Sequence, residues 1–286
     1  MTRIKSTKNI HTGYGYLKAK KSLGQNFLKS RPALDVMCKV SNLTPKDIVL
    51  EIGPGKGALT NLLLKNVSRV VAVEKDKELI KYLNEKFYQK IKEGELILIE
   101  KDILDFDLED FKKYELKDKE YKIVANIPYN ITGIFIRRFL SGKIQPKIMT
   151  LLVQKEVAQR ITDQKKENIL SLSIKAYGNP SYKMKVGKRF FSPIPKVDSA
   201  IITIKDISRN NFTSDQEEKL FFSLIKAGFS HKRKFLKKNL ESFIDREKII
   251  EIFNKLNIDE KIRAENLPIK KWLKIIKIIK QSSAQV

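Results

Sequence analysis

From Asp47 onward, short apolar runs alternate with longer amphipathic ones. IVLEIG (48–53), RVVAVE (69–74), LILIEKD (96–102), YKIVAN (121–126) and KIMTLLVQ (147–154) are apolar on both faces. Strands covered by helices on both sides read this way. Between them, ALTNLLLKN (58–66) has helical spacing, and KELIKYLNEKF (77–87) sets Leu79, Ile80, Leu83 and Phe87 on one face. Strand–helix alternation predicts an α/β fold with a parallel, doubly wound sheet. Past Lys155, KEVAQRITD reads as a helix, SYKMKVGKRF and SAIITIKD as strands, and FFSPIPK between them as a proline-bearing loop. From about Asp206 only helical periodicity remains. Leu220, Phe221, Leu224 and Ile225 form one stripe, and Trp272, Ile275, Ile276 and Ile279 another. The polar run SRNNFTSDQ breaks the apolar pattern near 206–215. The expected organisation is therefore a basic extension over 1–19, a sheet domain over 20–207 and a small all-helical domain over 208–286.

Composition makes the chain globular. At 286 residues with 42% hydrophobic content it can bury a real core. No apolar run is long enough to span a membrane, and the first 22 residues lack the apolar segment of a secretory signal. That opening stretch is Lys-rich rather than Arg-rich, which disfavours an organelle transit peptide and leaves a bacterial cytoplasmic setting as the expectation. A lone cysteine, Cys38, excludes an internal disulfide and reads as a core filler. Two distant histidines, His11 and His231, offer no zinc site, and no metal is expected.

The net charge of +25 is unevenly spread. Residues 1–31 hold eight bases and no acid, 32–150 hold 21 bases and 18 acids, and 221–286 hold 16 bases and seven acids. A nearly balanced middle with basic ends suggests a polyanion partner, either nucleic acid or an acidic membrane surface.

The candidate chemistry sits at strand ends. The first strand runs into Gly53-Pro54-Gly55-Lys56-Gly57 and then a helix, a turn that lets the backbone approach a ligand closely. Its G-x-G-x-G spacing differs from the dinucleotide fingerprint. The second strand ends in Glu74, placed to accept both hydroxyls of a ribose, and the third in Asp102, placed to accept from an adenine amino group. Together they favour an adenosine-bearing cofactor. The fourth strand ends in Asn126-Ile127-Pro128-Tyr129-Asn130. The Asn126 side-chain oxygen and the Ile127 carbonyl can accept from one exocyclic amine, while Tyr129 stacks on the ring that carries it. Such acceptors aim the amine's lone pair at an electrophile without a strong general base.

These residues, with KKSLGQNFL (20–28), LEIGPGKGALT (50–60), VEKD (73–76), KDIL (101–104), NIPYNIT (126–132), VQKEVAQRI (153–161), FSPIPKVDSAI (191–201), FSHKRKFLKKNL (229–240) and RAENLPIKKWL (263–273), resemble the rRNA adenine N6,N6-dimethyltransferase family in its bacterial small-subunit, KsgA-type branch. The resemblance runs in order over roughly residues 20–275. It implies a class I S-adenosylmethionine-dependent methyltransferase fold, Rossmann-like, with a small helical C-terminal domain. It implies that Asn26, Leu28, Gly53, Glu74, Asp102 and Asn126 bind S-adenosylmethionine. It also implies that Asn126 and Tyr129 engage the target adenine and that Phe191 takes the base's other face, with adjacent Phe190 open to confusion. The implied substrate is small-subunit rRNA, with two adjacent adenosines near its 3′ end each methylated twice, and the enzyme is expected to act as a monomer.

Lys232, Arg233, Lys234, Lys237 and Lys238 are the candidate RNA-binding residues, since RNA is held through phosphates and read largely by shape. The family's basic stretch is usually richer in Arg. Lysine lacks Arg's fork, so these contacts are expected to be less directional. An erythromycin-resistance type enzyme acting on large-subunit rRNA would share the pocket; LGQNFL, PKVDSA and FSHKRK favour the small-subunit type. A non-catalytic relative, such as a mitochondrial transcription factor, would not need the intact NIPYN loop and cofactor acids. A dehydrogenase is disfavoured by the glycine spacing and by NIPY. A pocket built for an adenine amine gives the basic ends a nucleic-acid partner rather than a membrane.

Overall fold

The β-branched runs do form the strands, and their register sets where the loops end. The computed structural model describes residues 17–283; the proposed extension over 1–19 falls largely outside them. Five strands, β2 (Ile48–Ile52), β3 (Arg69–Glu74), β4 (Leu96–Glu100), β5 (Tyr121–Asn126) and β6 (Ile148–Gln154), pair in parallel. β7 (Asn179–Val186) and β9 (Ser199–Lys205) complete the sheet antiparallel, in the order β4-β3-β2-β5-β6-β9-β7. The parallel expectation thus holds for the first five strands of this sheet, while the last two form an antiparallel edge. The segment expected to be a loop contributes β8 (Phe191–Ser192), which pairs antiparallel with β1 (Phe27–Leu28) in a separate two-stranded ladder.

Helices cover both faces. α1 (Arg31–Val40), α2 (Ala58–Leu63), α3 (Lys77–Lys86) and α4 (Tyr88–Lys92) precede β4. α5 (Leu108–Lys113), α6 (Thr132–Ser141), α7 (Lys155–Thr162) and α8 (Ile169–Lys175) follow. α9 (Asp215–Gly228), α10 (Leu236–Leu240), α11 (Arg246–Lys255) and α12 (Ile269–Ser283) close the chain. The strand alternation divides the core. Val49, Val70, Ala72 and Val124 pack under α1 and α2 with Met37 and Leu62. Leu50, Ile52, Val71 and Ile123 face the opposite way, toward Phe135 and Phe139 of α6.

That second core runs without a break into the C-terminal helices through Phe221, Leu224, Ile276 and the fully buried Trp272. The Trp272 indole N–H donates to the Leu267 carbonyl at 3.0 Å, so its one polar atom is satisfied. The helices approach closely because position 228 is glycine: a Cβ there would lie 2.3 Å from the Trp272 ring. Among the described residues no helix is long and apolar enough to cross a membrane.

Candidate active site

The sheet order makes one row of four predicted residues. β4, β3, β2 and β5 are neighbours, and their carboxyl ends carry Asp102, Glu74, Gly53 and Asn126 in that spatial order. Between β2 and β5 the strand order reverses, which is where open α/β sheets bind ligands. A cleft enclosing about 910 Å³, its mouth included, opens there and is lined by all four. Asn26, Tyr129 and Ile127 line it too.

The glycine turn is shaped by its neighbours. Gly53, Gly55 and Gly57 all hold positive φ, at 63°, 59° and 73°. At Gly57 a Cβ would also come 2.4 Å from the Phe87 ring, so both backbone and space require glycine.

Glu74 is buried, and three amides organise its carboxylate. Lys75 and Asp76 donate to Oε1 at 2.9 and 3.0 Å, and Gly55 donates to Oε2 at 3.2 Å. A carboxylate has about four acceptor positions, so capacity remains, chiefly on Oε2. Burial pushes the group above its ordinary value, with the three amides working against it. Asp102 caps the following turn through the Leu104 amide at 3.0 Å and meets the Lys75 ammonium at 2.7 Å. Burial opposes its charge, but Lys75 and the amide prevail and hold it below the ordinary carboxylate range.

Asn126 is anchored from above. Its Nδ2 donates to the Asn26 carbonyl at 3.1 Å, which leaves Oδ1 as the end of the amide without a partner among the described residues. Tyr129 is half-buried beside it, and its hydroxyl lies 2.7 Å from Ser199 Oγ at the start of β9. Burial raises the phenol's pKa, Ser199 opposing, so it stays neutral. The ring is thus held at one end by β9 and presents a neutral aromatic surface to the cleft.

Two predicted residues are placed elsewhere. Leu28 is 7% exposed and packs in the core, so only its backbone can serve a cofactor. Phe191 does not reach the cleft: it pairs with Leu28 across the β1–β8 ladder, is 2% exposed and joins the same core. The ladder, which a loop reading of FFSPIPK does not contain, turns that ring inward. Phe190 carries the exposure instead, with the Arg189 guanidinium 5.0 Å from its ring centre.

The basic residues also separate. His231 to Phe235 are exposed throughout, in the loop joining α9 to α10. The Asn239 amide shapes this loop by donating to the Gly228 and His231 carbonyls at 2.6 and 3.1 Å. Lys232, Arg233 and Lys234 make no ion pair with another described residue. Lys237 is committed to Glu260 at 2.9 Å, and Lys238 lies 3.2 Å from Glu241.

The cleft suits a nucleoside-bearing ligand in its polar groups: it has a preset acceptor at one end and an oriented amide at the other. A scan of family models matches residues 16–281 to the ribosomal RNA adenine dimethylase family. The chain belongs to that family. A dimethylase of this family takes its methyl groups from S-adenosylmethionine, and the row of Gly53, Glu74 and Asp102 is where this chain would hold it. Among curated relatives, the ribosomal RNA small subunit methyltransferase A of Fusobacterium nucleatum is 40% identical over 265 residues, 91% of this chain and 97% of the relative. The protein of the same name from Dehalococcoides mccartyi is 41% identical over 273 residues, 94% and 90% of the two chains. A solved dimethyladenosine transferase from Plasmodium falciparum superposes with a TM-score of 0.76 at 24% identity, covering 90% of this chain and 98% of its own. The 23S rRNA methyltransferase ErmE does so at 0.72 and 23% identity, covering 90% and 100%. Both share the fold.

Sequence reasoning missed three residues beside the cleft. Lys20, Gln25 and Asp76 form a cluster around one buried carboxylate, Asp76, whose only signal was a second acid in VEKD, two positions after Glu74. It also passed over Glu51, which is 1% exposed under the glycine turn. Among the described residues no group of His, Cys, Asp and Glu could hold a metal ion.

Proposed function

We propose that this chain transfers methyl groups from S-adenosylmethionine to the N6 atoms of adenosines in small-subunit rRNA, acting on two adjacent adenosines near the 3′ end. The orientation of Asn126 carries this reading. An amide whose nitrogen is spent on the Asn26 carbonyl offers an oxygen to the cleft, and an oxygen is what an aromatic amine needs as partner. S-adenosylmethionine, when bound, supplies an electrophilic methyl group.

The protein's own part is orientation. Asn126 Oδ1 accepts an N–H of the target amine, which takes its lone pair out of conjugation and fixes its direction. The Tyr129 ring stacks on the adenine, offsetting part of the cost of drawing the base from its helix. The Ser199 hydroxyl keeps that ring from turning away. Glu74 supplies the ribose acceptor and Asp102 the adenine acceptor for the methyl donor. The second face of the target base is left to a group other than Phe191, whose burial removes it from the cleft. The exposed Lys232–Lys234 loop holds RNA through phosphates, which gives affinity and salt dependence but no base identity.

The test is mass-spectrometric mapping of methylated adenosines after incubation with small subunits, large subunits and naked rRNA, all from cells lacking the modification. N6,N6-dimethyladenosine confined to small-subunit rRNA is expected. Modification confined to large-subunit rRNA would replace this reading with the antibiotic-resistance type.

A further inference from the structure

Residues 20–28 form a strap over the cleft, and its polar contacts converge on an acid that the methyl-transfer reading does not use. Asp76 lies two residues past Glu74 and is 3% exposed. Its Oδ1 accepts from the Lys20 ammonium at 2.7 Å and from the Glu78 amide at 3.0 Å, the latter capping α3. Its Oδ2 accepts from Gln25 Nε2 at 2.8 Å. Gln25 Oε1 in turn accepts from the Lys20 amide at 2.8 Å. Two strap residues, more than 50 positions away in sequence, are thereby closed into one ring with a buried carboxylate. A helix cap needs only one of the two oxygens; the other is spent on the strap.

The next strap residue reaches the reacting end of the cleft. The Asn26 carbonyl accepts from Asn126 Nδ2 at 3.1 Å. Just before it, Gly24 sits in the left-handed region against the NIPYN loop, where a Cβ would come 3.4 Å from Asn130 and 3.5 Å from Pro128. We propose that Asp76 is a positioning residue for methyl transfer: by latching Gln25 and Lys20 it fixes the Asn26 carbonyl, and that carbonyl holds the Asn126 amide with its oxygen toward the target amine. The proposal rests on the reading of Asn126 as the amine's acceptor. Without the latch, the Asn26 carbonyl loses its fixed position and the Asn126 amide is free to turn. A turned amide offers N–H groups to an amine that is itself a donor, and the lone pair is no longer aimed.

The test is a swap of hydrogen-bond polarity. Asp76→Asn keeps one oxygen for the Glu78 amide but sets N–H groups against the Gln25 amide. Gln25→Glu sets two carboxylates face to face. Combined, they restore one donor and one acceptor in reversed order, with Lys20 still facing a negative group. Single-turnover methyl transfer is measured on small subunits at saturating S-adenosylmethionine, alongside rRNA affinity. Each single substitution should slow transfer about tenfold, the worth of roughly one oriented hydrogen bond, with rRNA affinity unchanged. The double variant should recover to within about threefold of the starting protein. Singles at the unmodified rate, or a double variant as slow as the worse single, overturn the latch. Asn126→Ala is the control for the underlying reading. If it abolishes transfer while the latch variants are silent, the latch alone fails; if it transfers normally, the acceptor role and the latch fall together.

Discussion

Glu51 gives the sharpest quantitative expectation. It stands on β2 two residues before Gly53, 1% exposed, with its Oε2 buried and without a hydrogen-bond partner among the described residues. Burial pushes its carboxyl from the ordinary 4.5 up to about 8; the neighbouring Thr60 offsets part of this and the Glu74 charge adds to it. At neutral pH the folded protein therefore keeps a proton here that the unfolded chain releases. Folding stability must then fall as pH rises from about 4.5 to about 8, by ~1.4 kcal/mol per pH unit and about 5 kcal/mol in all. Below 4.5 both states hold the proton and nothing is lost; above 8 both have released it and the loss stops growing.

Glu51→Gln removes the titration while keeping the shape. The difference in unfolding free energy between variant and unmodified protein cancels the titrating groups that do not couple to Glu51. That difference should move in favour of the variant by roughly 3–4 kcal/mol between pH 5 and pH 8, and stay flat above pH 9. Urea unfolding followed by circular dichroism at unit pH steps measures it. Parallel stability curves for the two proteins would mean that the carboxylate is solvated or paired, and the reasoning from burial would be wrong. Because Glu74 contributes to the shift, Glu74→Gln should bring the upper end of the window down.

Three other expectations follow from the site. Glu74→Ala removes the carboxylate that three amides hold against the cleft, and should weaken S-adenosylmethionine binding by about ten- to a hundredfold in calorimetry, from one or two charged hydrogen bonds; an unchanged dissociation constant refutes the ribose role. Replacing Lys232, Arg233 and Lys234 together by alanine should flatten the log–log salt dependence of rRNA binding by about two to three units, while Lys237→Ala, whose ammonium is already paired with Glu260, should leave the slope nearly unchanged. Gly57→Ala forces a Cβ into the Phe87 ring at a φ of 73°, and should lower stability by about 2–4 kcal/mol in denaturant titration.

What could be read from the sequence was whatever depends on one strand end at a time. Gly53, Glu74, Asp102 and Asn126 each follow an apolar run, and the rule that doubly wound sheets bind ligands at their carboxyl edge places them together. Their actual neighbourhood depends on the order β4-β3-β2-β5, which the sheet supplies. Features that depend on pairing between distant short segments were not legible. A two-residue strand has no period, so neither the β1–β8 ladder nor its effect on Phe191 leaves a mark in FFSPIPK. Lys237 and Lys238 belong to the same basic run as Lys232, and only the turn into α10 brings Glu260 to one of them. The Lys20–Gln25–Asp76 ring joins positions more than 50 apart through side chains that, taken singly, look like solvated polar residues.

The same division bears on the electrostatics of the cleft. A carboxylate beside the methyl donor works only where local electrostatics permit an acceptor with free lone pairs. Of the two acids here, Glu74 is screened by amides and Asp102 is held by Lys75. Lys232, Arg233 and Lys234 lie instead on the exposed loop before α10, where, on the proposed reading, RNA can use them without neutralising Glu74 or Asp102. The salt dependence of RNA binding should therefore be separable from cofactor affinity by substitutions on that loop alone.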